Sequence, residues 1–212
     1  MTKTVIIATN NAHKVEEIET ALDFEEWRFL SLKQALQSEG RSPSLKQAGI
    51  VSNPEETGTT FVENARIKAR AAYEASQDCA VLADDSGLIV DALDGAPGVY
   101  SSRYAGADGD DAANNAKLLR ELEGVADDKR TARFASVLVF IDVDGKETVA
   151  EGFVEGRIGH QERGSEGFGY DPLFLPEVCT DGKTMAELTQ DQKNSISHRG
   201  NALRSLKEKI ES

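Results

Sequence analysis

Residues 80–90 read Ala80-Val81-Leu82-Ala83-Asp84-Asp85-Ser86-Gly87-Leu88-Ile89-Val90, so two adjacent carboxylates interrupt an apolar run. The run predicts a short buried strand over 80–83 that Asp84-Asp85-Ser86-Gly87 ends, and extended chain resumes at Leu88. Adjacent carboxylates repel each other and are costly to desolvate unless a cation or hydrogen bonds compensate them. Mg²⁺, which prefers oxygen ligands, would be one such cation. An Asp-rich turn closed by Gly87 is the alternative interpretation.

Strands and helices alternate on the N-terminal side of this stretch. Residues 4–8 predict a buried strand, and an Asn pair can cap the helix that follows, whose apolar positions have helical spacing. Thr60-Phe61-Val62-Glu63 matches a capping box at the start of a second helix. Asn64 and Lys68, four residues apart, should share one face of that helix.

The C-terminal side has a different pattern. Asp110 or Asp111 can cap a helix, and residues 133–143 and 148–158 then read as a hairpin of long strands. A last helix is predicted over 197–210. Because alternating strands and helices are followed by a hairpin, we expect an α/β fold with a mixed central sheet flanked by helices.

Composition limits the class of protein. A chain of 212 residues with 39% hydrophobic residues suits one globular domain, residues 1–212, which could form two lobes around a cleft. The net charge of -13 argues against a nucleic-acid partner or an anionic membrane. No apolar run is long enough to span a bilayer, and the N-terminus lacks a secretory signal, so a cytoplasmic location is expected. Cys79 and Cys179 are too far apart to indicate a zinc site.

Thr9-Asn10-Asn11-Ala12-His13-Lys14 follows the first strand and begins a helix. Free backbone N–H groups and the positive end of the helix dipole favour a phosphate at such a junction, and Lys14 would add a point charge. A plain Asn-capped helix with an exposed lysine is the alternative.

Three further polar segments could carry chemistry. Glu55-Glu56-Thr57-Gly58 is a second acidic cluster or a solvated loop. Gly164–Pro172 mixes glycines with two aromatic residues, which suits a loop close to a planar base but also an ordinary turn. Lys193–Gly200 carries donors for phosphate or base oxygens, or is an ordinary helix start. The chain has neither a G-x-x-x-x-G-K-[ST] nor a G-x-S-x-G motif, which argues against a P-loop NTPase and an α/β-hydrolase.

Each segment is weak alone, but their order is informative. The segments are Thr9-x-Asn11-x-x-Lys14, Glu56-Thr57-Gly58 with Phe61-x-Glu63-Asn64-Ala65, Ala83-Asp84-Asp85-Ser86-Gly87-Leu88, Gly95-Ala96-Pro97-Gly98 with Ser101-x-Arg103-Tyr104, Gly167-Phe168-Gly169-Tyr170-Asp171-Pro172, and Ser197-His198-Arg199-Gly200. Over nearly the whole chain this order resembles the Ham1 family of inosine triphosphate pyrophosphatases. Asn10, where the family often has Gly, and a longer stretch over 37–53 are departures from its pattern.

The resemblance implies Mg²⁺-dependent hydrolysis of ITP, dITP and XTP to the monophosphate and pyrophosphate. It also implies a homodimer on an elongated, two-lobed α/β fold. By matched position, Asp85 would accept a proton and bind the metal together with Glu56. Substrate contacts would come from Thr9, Asn10, Asn11, Ala12, His13, Lys14, Lys68 and Ser86, and from Phe168, Gly169, Tyr170, Asp171, Lys193, His198 and Arg199.

Base choice would follow from hydrogen bonding. Donors from Arg199 or backbone N–H groups would favour a 6-oxopurine over adenine, which has an amine at that position. Exclusion of guanine would have to come from its 2-amino side. Two other functions are alternatives to hydrolysis to pyrophosphate: that of a nucleotide-binding protein without turnover, and that of a phosphomonoesterase with an aspartyl nucleophile. The second usually needs an Asp-x-Asp arrangement.

Overall fold

Six strands form the sheet in the computed structural model, which describes residues 3–21, 27–31, 34–35, 54–76 and 79–211. The strands are β1 Lys3–Ile7, β2 Trp27–Ser31, β3 Ala80–Val90, β4 Thr131–Ile141, β5 Glu147–Ile158 and β6 Phe174–Pro176. Their order is β2-β1-β3-β4-β5-β6. Since β1 is parallel to β2 and β3 whereas β5 and β6 are antiparallel, the predicted mixed sheet is confirmed.

The described part of the chain gives the bounds of five α-helices: α1 Ala12–Ala21, α2 Phe61–Ser76, α3 Asp111–Glu121, α4 Gln190–Ile196 and α5 His198–Glu211. The predicted caps are present. The backbone N–H of Lys14 donates to Asn11 Oδ1 over 3.1 Å, and that of Ala113 donates to Asp110 Oδ1 over 3.0 Å.

The capping box of α2 is reciprocal. The backbone N–H of Glu63 donates to Thr60 Oγ1 over 3.3 Å, and that of Thr60 donates to Glu63 Oε2 over 3.1 Å. Both bonds satisfy backbone donors that a helix N-terminus leaves without an intrahelical acceptor.

The chain divides into two compact units. The first comprises the described residues up to Asp85, with Val137–Glu151 and the residues from Ala202 onward. The second comprises Ser86–Ser136 and Gly152–Asn201.

The first unit covers both faces of β3. Because side chains alternate along a strand, Val81 and Ala83 of β3 pack with Ala65 and Ala69 of α2. The intervening Leu82 packs on the other face, with α1 and α5. Strands covered on both faces read as continuous apolar runs, which is why the sequence signal over 80–83 was plain.

The second unit has a core of its own on one face of its strands. This core brings together side chains from β3, β4, β5, β6, α3 and the segments that adjoin them: Leu88, Val90, Leu118, Leu122, Ala132, Phe134, Val154, Ile158, Tyr170, Leu173, Phe174, Met185 and Leu188. Residues 153, 155 and 157 of β5 are exposed and alternate with buried ones. This is the period-two pattern of a strand with one solvated face.

The predicted end of the strand at Asp84 is wrong. β3 continues without a break from Ala80 to Val90, and Asp84 and Asp85 are buried within it. The turn interpretation fails because both carboxylates have an ammonium partner close by and therefore do not need solvent.

The departure noted over 37–53 lies outside the described residues. Within the described residues, no helix is both long and apolar enough to cross a membrane.

Candidate active site

The acidic pair of β3 divides between the two faces of the strand. Asp84 has the parity of Leu82 and so lies on the face covered by α1, where its Oδ2 is 2.7 Å from Lys14 Nζ. Asp85 has the parity of Ala83 and lies on the face covered by α2. The period of two therefore separates the two carboxylates and gives each its own lysine.

Asp85, Lys68 and Glu56 form a cluster on the α2 face. Lys68 Nζ donates to Asp85 Oδ1 over 2.7 Å and lies 3.3 Å from Glu56 Oε1. The Lys68 and Asp85 side chains are only 10% and 8% exposed. The other carboxylate oxygen, Asp85 Oδ2, is buried and has no hydrogen-bond partner among the described residues. A buried acceptor in this state is costly, which makes it the natural position for a ligand.

Burial shifts the pKa values of Lys68 and Asp85 in opposite directions. Burial lowers the pKa of Lys68, but the nearby carboxylates of Asp85 and Glu56 outweigh it, so the pKa of Lys68 is raised. Burial and, to a smaller extent, the carboxylate of Glu56 raise the pKa of Asp85 by more than Lys68 and Lys14 lower it. Lys68 therefore keeps its charge, while Asp85 is a stronger base than an exposed carboxylate.

The loop that carries Glu56 is held by α2. The backbone N–H of Gly58 donates to Asn64 Oδ1 over 2.8 Å, and Asn64 is fully buried. A Cβ at Gly58 would lie 2.6 Å from both Asn64 Oδ1 and Glu63 Cβ, so only glycine fits. The spacing of Asn64 and Lys68 predicts that they share one helix face, but it does not predict this contact of Asn64 with the loop.

The predicted phosphate segment lies where strand meets helix. Thr9, Asn10 and Asn11 connect β1 to α1, and Ala12 is the first residue of that helix. Thr9 Oγ1 accepts the backbone N–H of Asn11 over 3.2 Å. Asn10, Asn11, Ala12 and His13 are exposed, whereas the Lys14 side chain is only 14% exposed, beside Asp84.

A second cluster lies in the other unit, in the loop over 167–171. Asp171 Oδ2 accepts the backbone N–H of Phe168 over 3.0 Å and the Lys193 ammonium over 2.7 Å. Lys193 Nζ also lies 4.8 Å from the centre of the Phe168 ring. Gly167 has a φ of +77°, and a Cβ there would collide with Asp171 Oδ2, so the turn requires glycine.

Arg199 and His198 begin α5 and complete this cluster. Arg199 is 1% exposed, donates from Nη2 to Ser86 Oγ over 2.9 Å, and lies 6.0 Å from the Phe168 ring. His198 stacks on Phe134, with ring centres 4.9 Å apart. No local pattern singles out Phe134, because an aromatic residue on a strand looks like an ordinary core residue.

Among the described residues, no three histidine, cysteine, aspartate or glutamate side chains gather into a group that could hold a metal ion. The acidic groups on the α2 face of β3 are the carboxylates of Glu56 and Asp85. They are bridged by Lys68, and Asp85 Oδ2 adds a buried acceptor.

Together these features define an α/β protein with a lysine-paired carboxylate site in one unit and a cluster of cationic and aromatic side chains in the other. A sequence model described as the Ham1 family matches residues 5–209. The chain belongs to the Ham1 family.

Named relatives are similar over nearly their whole length. The dITP/XTP pyrophosphatase of Clostridium perfringens is 47% identical, covering 98% of this chain and 97% of its own. The dITP/XTP pyrophosphatase of Bacillus subtilis is 48% identical, with 99% and 98% covered. The solved structure of a HAM1 protein from Coxiella burnetii has a TM-score of 0.81 and 37% identity, and 99% of each chain is covered.

Proposed function

We propose that this protein is a nucleoside triphosphate pyrophosphatase that hydrolyses the non-standard purine nucleotides ITP, dITP and XTP to the monophosphate and pyrophosphate. It would thereby cleanse the nucleotide pool. Its Ham1 membership and relatives named dITP/XTP pyrophosphatases support this. The observation that carries it is Asp85, buried beside Lys68 with one carboxylate oxygen that has no hydrogen-bond partner in the described chain.

A divalent cation fits this site. Mg²⁺ keeps several waters and takes one or two protein carboxylates plus phosphate oxygens, so a cage of three or more acidic groups is not needed. Glu56 and Asp85 would hold it. When bound, Mg²⁺ would neutralise phosphate charge and so lower the barrier to attack on phosphorus.

Asp85 would act as the proton acceptor for the attacking water. Its raised pKa makes it a better base than an exposed carboxylate, provided that it is ionised at the working pH. Lys68 holds one of its oxygens and leaves the other available. Lys14 and Lys68, with the residues from Thr9 to His13 at the start of α1, would bind the triphosphate and stabilise the departing pyrophosphate.

Residues of the second unit would recognise the base. Ser86, Lys193, His198 and Arg199 supply donors, and the loop Phe168-Gly169-Tyr170-Asp171 supplies backbone groups and a ring face. Donors directed at a 6-oxo group favour hypoxanthine and xanthine, and they are left without an acceptor when adenine binds.

We further propose that the protein works as a cytoplasmic homodimer with no nucleic-acid or membrane partner. The resemblance supports the dimer, and the net charge of -13 disfavours polyanionic partners. Sedimentation equilibrium should give twice the mass of the chain.

The test is incubation with ITP, dITP, XTP, GTP and ATP, with Mg²⁺ and after chelation, followed by chromatography of the products. We expect monophosphate and pyrophosphate from ITP, dITP and XTP, and loss of turnover after chelation. Orthophosphate would instead indicate a phosphomonoesterase, and binding without products would indicate an inactive nucleotide-binding protein. Equal rates with ATP and ITP would remove the base selectivity.

A further inference from the structure

Helix α3 holds both backbone polar groups of Gly169. The backbone N–H of Gly169 donates to Asp111 Oδ2 over 2.7 Å. Asn115, one turn further along the helix, donates from Nδ2 to the carbonyl oxygen of Gly169 over 3.1 Å. Two side chains of one helix thus fix one peptide residue of the loop over 167–171.

Gly169 is a position at which the loop depends on contacts from other elements for its conformation. Gly169 has a φ of +62°, and nothing lies within 4 Å of the place where its Cβ would be. Glycine is the most conformationally free residue, so neither its own backbone nor side-chain packing holds it in place. Its neighbours are Phe168, whose ring faces Lys193 and Arg199, and Tyr170, whose hydroxyl donates to the carbonyl oxygen of Ser101.

A comparison of two adjacent asparagines supports a specific role for Asn115. Asn114 is equally buried and uses both ends of its amide: Oδ1 accepts from Ala105 N over 2.7 Å, and Nδ2 donates to Ser102 O over 3.1 Å. Asn115 is 3% exposed, yet its Oδ1 has no hydrogen-bond partner among the described residues. A buried amide with an unsatisfied oxygen is costly, so its packing and single bond to Gly169 must offset that cost.

We propose that Asp111 and Asn115 are positioning residues for base recognition, which hold the loop over 167–171 in the conformation that receives the purine. This rests on the proposed function, since it assigns the base to that loop. Neither residue need touch substrate. Preorganisation of the loop lowers the entropy that binding must otherwise remove, so its loss should weaken substrate binding more than it slows chemistry at Asp85.

The experiment compares Asn115→Ala and Asp111→Ala with Asn114→Ala as the matched control. The loss of one hydrogen bond corresponds to about a fivefold change in equilibrium, so KM for ITP should rise about fivefold in Asn115→Ala, with kcat changed less than twofold. Asp111→Ala should raise KM by about tenfold, because its acceptor is charged. Asp111→Asn keeps an acceptor oxygen and should restore KM to within about threefold of the parent.

The two asparagine variants should rank in one order for the fall in Tm and in the opposite order for the rise in KM. Asn114→Ala loses two hydrogen bonds and should have the lower Tm, but its KM should stay within about twofold of the parent. Asn115→Ala loses one bond and an unsatisfied oxygen, so it should have the smaller fall in Tm and the larger rise in KM. If the variants acted only by destabilising the fold, the variant with the larger fall in Tm would also have the larger rise in KM.

Direct binding provides the second measurement. Calorimetric titration with inosine monophosphate should show about fivefold weaker binding to Asn115→Ala, whereas imidodiphosphate, which has no base, should bind the variant and the parent equally. An unchanged KM and unchanged monophosphate affinity in Asn115→Ala would overturn the inference. Equal weakening for imidodiphosphate would overturn it too. Failure of the parent protein to release pyrophosphate from ITP would instead contradict the proposed function.

Discussion

At the scale of single residues, Asp84 and Asp85 show how strand geometry assigns different surroundings to identical neighbours. One faces Lys14 and the other faces Lys68 and Glu56, because successive side chains of a strand point to opposite faces. Only the second has a buried oxygen without a hydrogen-bond partner among the described residues. This difference in surroundings is the physical ground on which we propose Asp85, and not Asp84, as the reactive carboxylate, and composition could not provide it.

Asp85→Asn should abolish turnover and leave nucleotide binding intact. The amide is nearly isosteric but cannot accept the proton of water, and general base catalysis contributes about 10²–10⁴-fold to rate. Single-turnover assays with ITP, together with a binding titration, measure both effects. Asp84→Asn on the opposite face is the control and should retain measurable turnover. A kcat near that of the parent in Asp85→Asn would rule out Asp85 as the base.

Arg199→Ala should reduce the preference for 6-oxopurines. The guanidinium is buried, bonded to Ser86, and close to the Phe168 ring. A charged hydrogen bond contributes about 1.5–3 kcal/mol, so the ratio of kcat/KM for ITP over ATP should fall by about tenfold to a hundredfold. The ratio does not depend on the fraction of folded protein in a preparation.

Arg133→Ala is the control for that measurement, because Arg133 bonds Asp91 and Glu155 outside the cluster. Its ITP to ATP ratio should match that of the parent. An unchanged ratio in Arg199→Ala would show that other donors recognise the base.

At the scale of elements, local signals and long-range contacts carried different information. The three predicted caps are present because a cap depends on residues within one helical turn. The predicted end of the strand at Asp84 is wrong because continuation of β3 through two carboxylates depends on Lys14 and Lys68, which lie on other elements. A local pattern contains no information about such partners.

The capping box of α2 predicts a pH dependence of stability. Hydrogen bonds from the backbone and hydroxyl of Thr59, and from Thr60, lower the pKa of Glu63 in the folded protein. A lowered folded pKa means that the stabilisation is complete above the unfolded pKa and is lost as the pH falls through the folded pKa. Glu63→Ala should therefore lower Tm at neutral pH, and the difference from the parent should shrink in acid.

Thermal unfolding followed by circular dichroism between neutral pH and pH about 3 tests this, since the ordinary pKa of glutamate lies in that interval. Glu63→Gln is the matched variant, because glutamine can also close a capping box but does not titrate in this range. At neutral pH the Tm of Glu63→Gln should lie between those of the alanine variant and the parent. Because neither variant titrates at this position, the Tm difference from the parent should change with pH in the same direction for both. A Tm difference independent of pH would contradict the ionic contribution.

At the scale of the whole molecule, charge is organised locally although the net value is -13. In the first unit, Lys14 and Lys68 lie against buried carboxylates, and in the second Lys193 lies against Asp171. A strongly acidic protein can therefore present cations where a phosphate or a base oxygen needs them, since electrostatic fields depend on nearby charges more than on the total. Each unit also has a hydrophobic core of its own.

The sequence by itself determined the class of fold, the positions of the caps and the identity of the family, because each depends on order and spacing along the chain. It also indicated Glu56, Lys68, Asp85, Asp171, Lys193 and Arg199, whose contacts are now visible. It could not indicate that Asp111 and Asn115 hold Gly169. A partial signal exists for Asn115, because it lies three residues before buried Leu118, and a polar residue on the apolar face of a helix indicates a specific contact.

Only the tertiary structure decided which carboxylate of the pair faces Glu56 and which group compensates each charge. The acidic stretch 84–85 reads as a turn when solvent is its only neighbour. It becomes part of a strand once α1 and α2 bring Lys14 and Lys68 to opposite faces of β3. The physical reason is that the cost of burying a charge depends on partners that are distant in sequence, and folding alone brings them within hydrogen-bond distance.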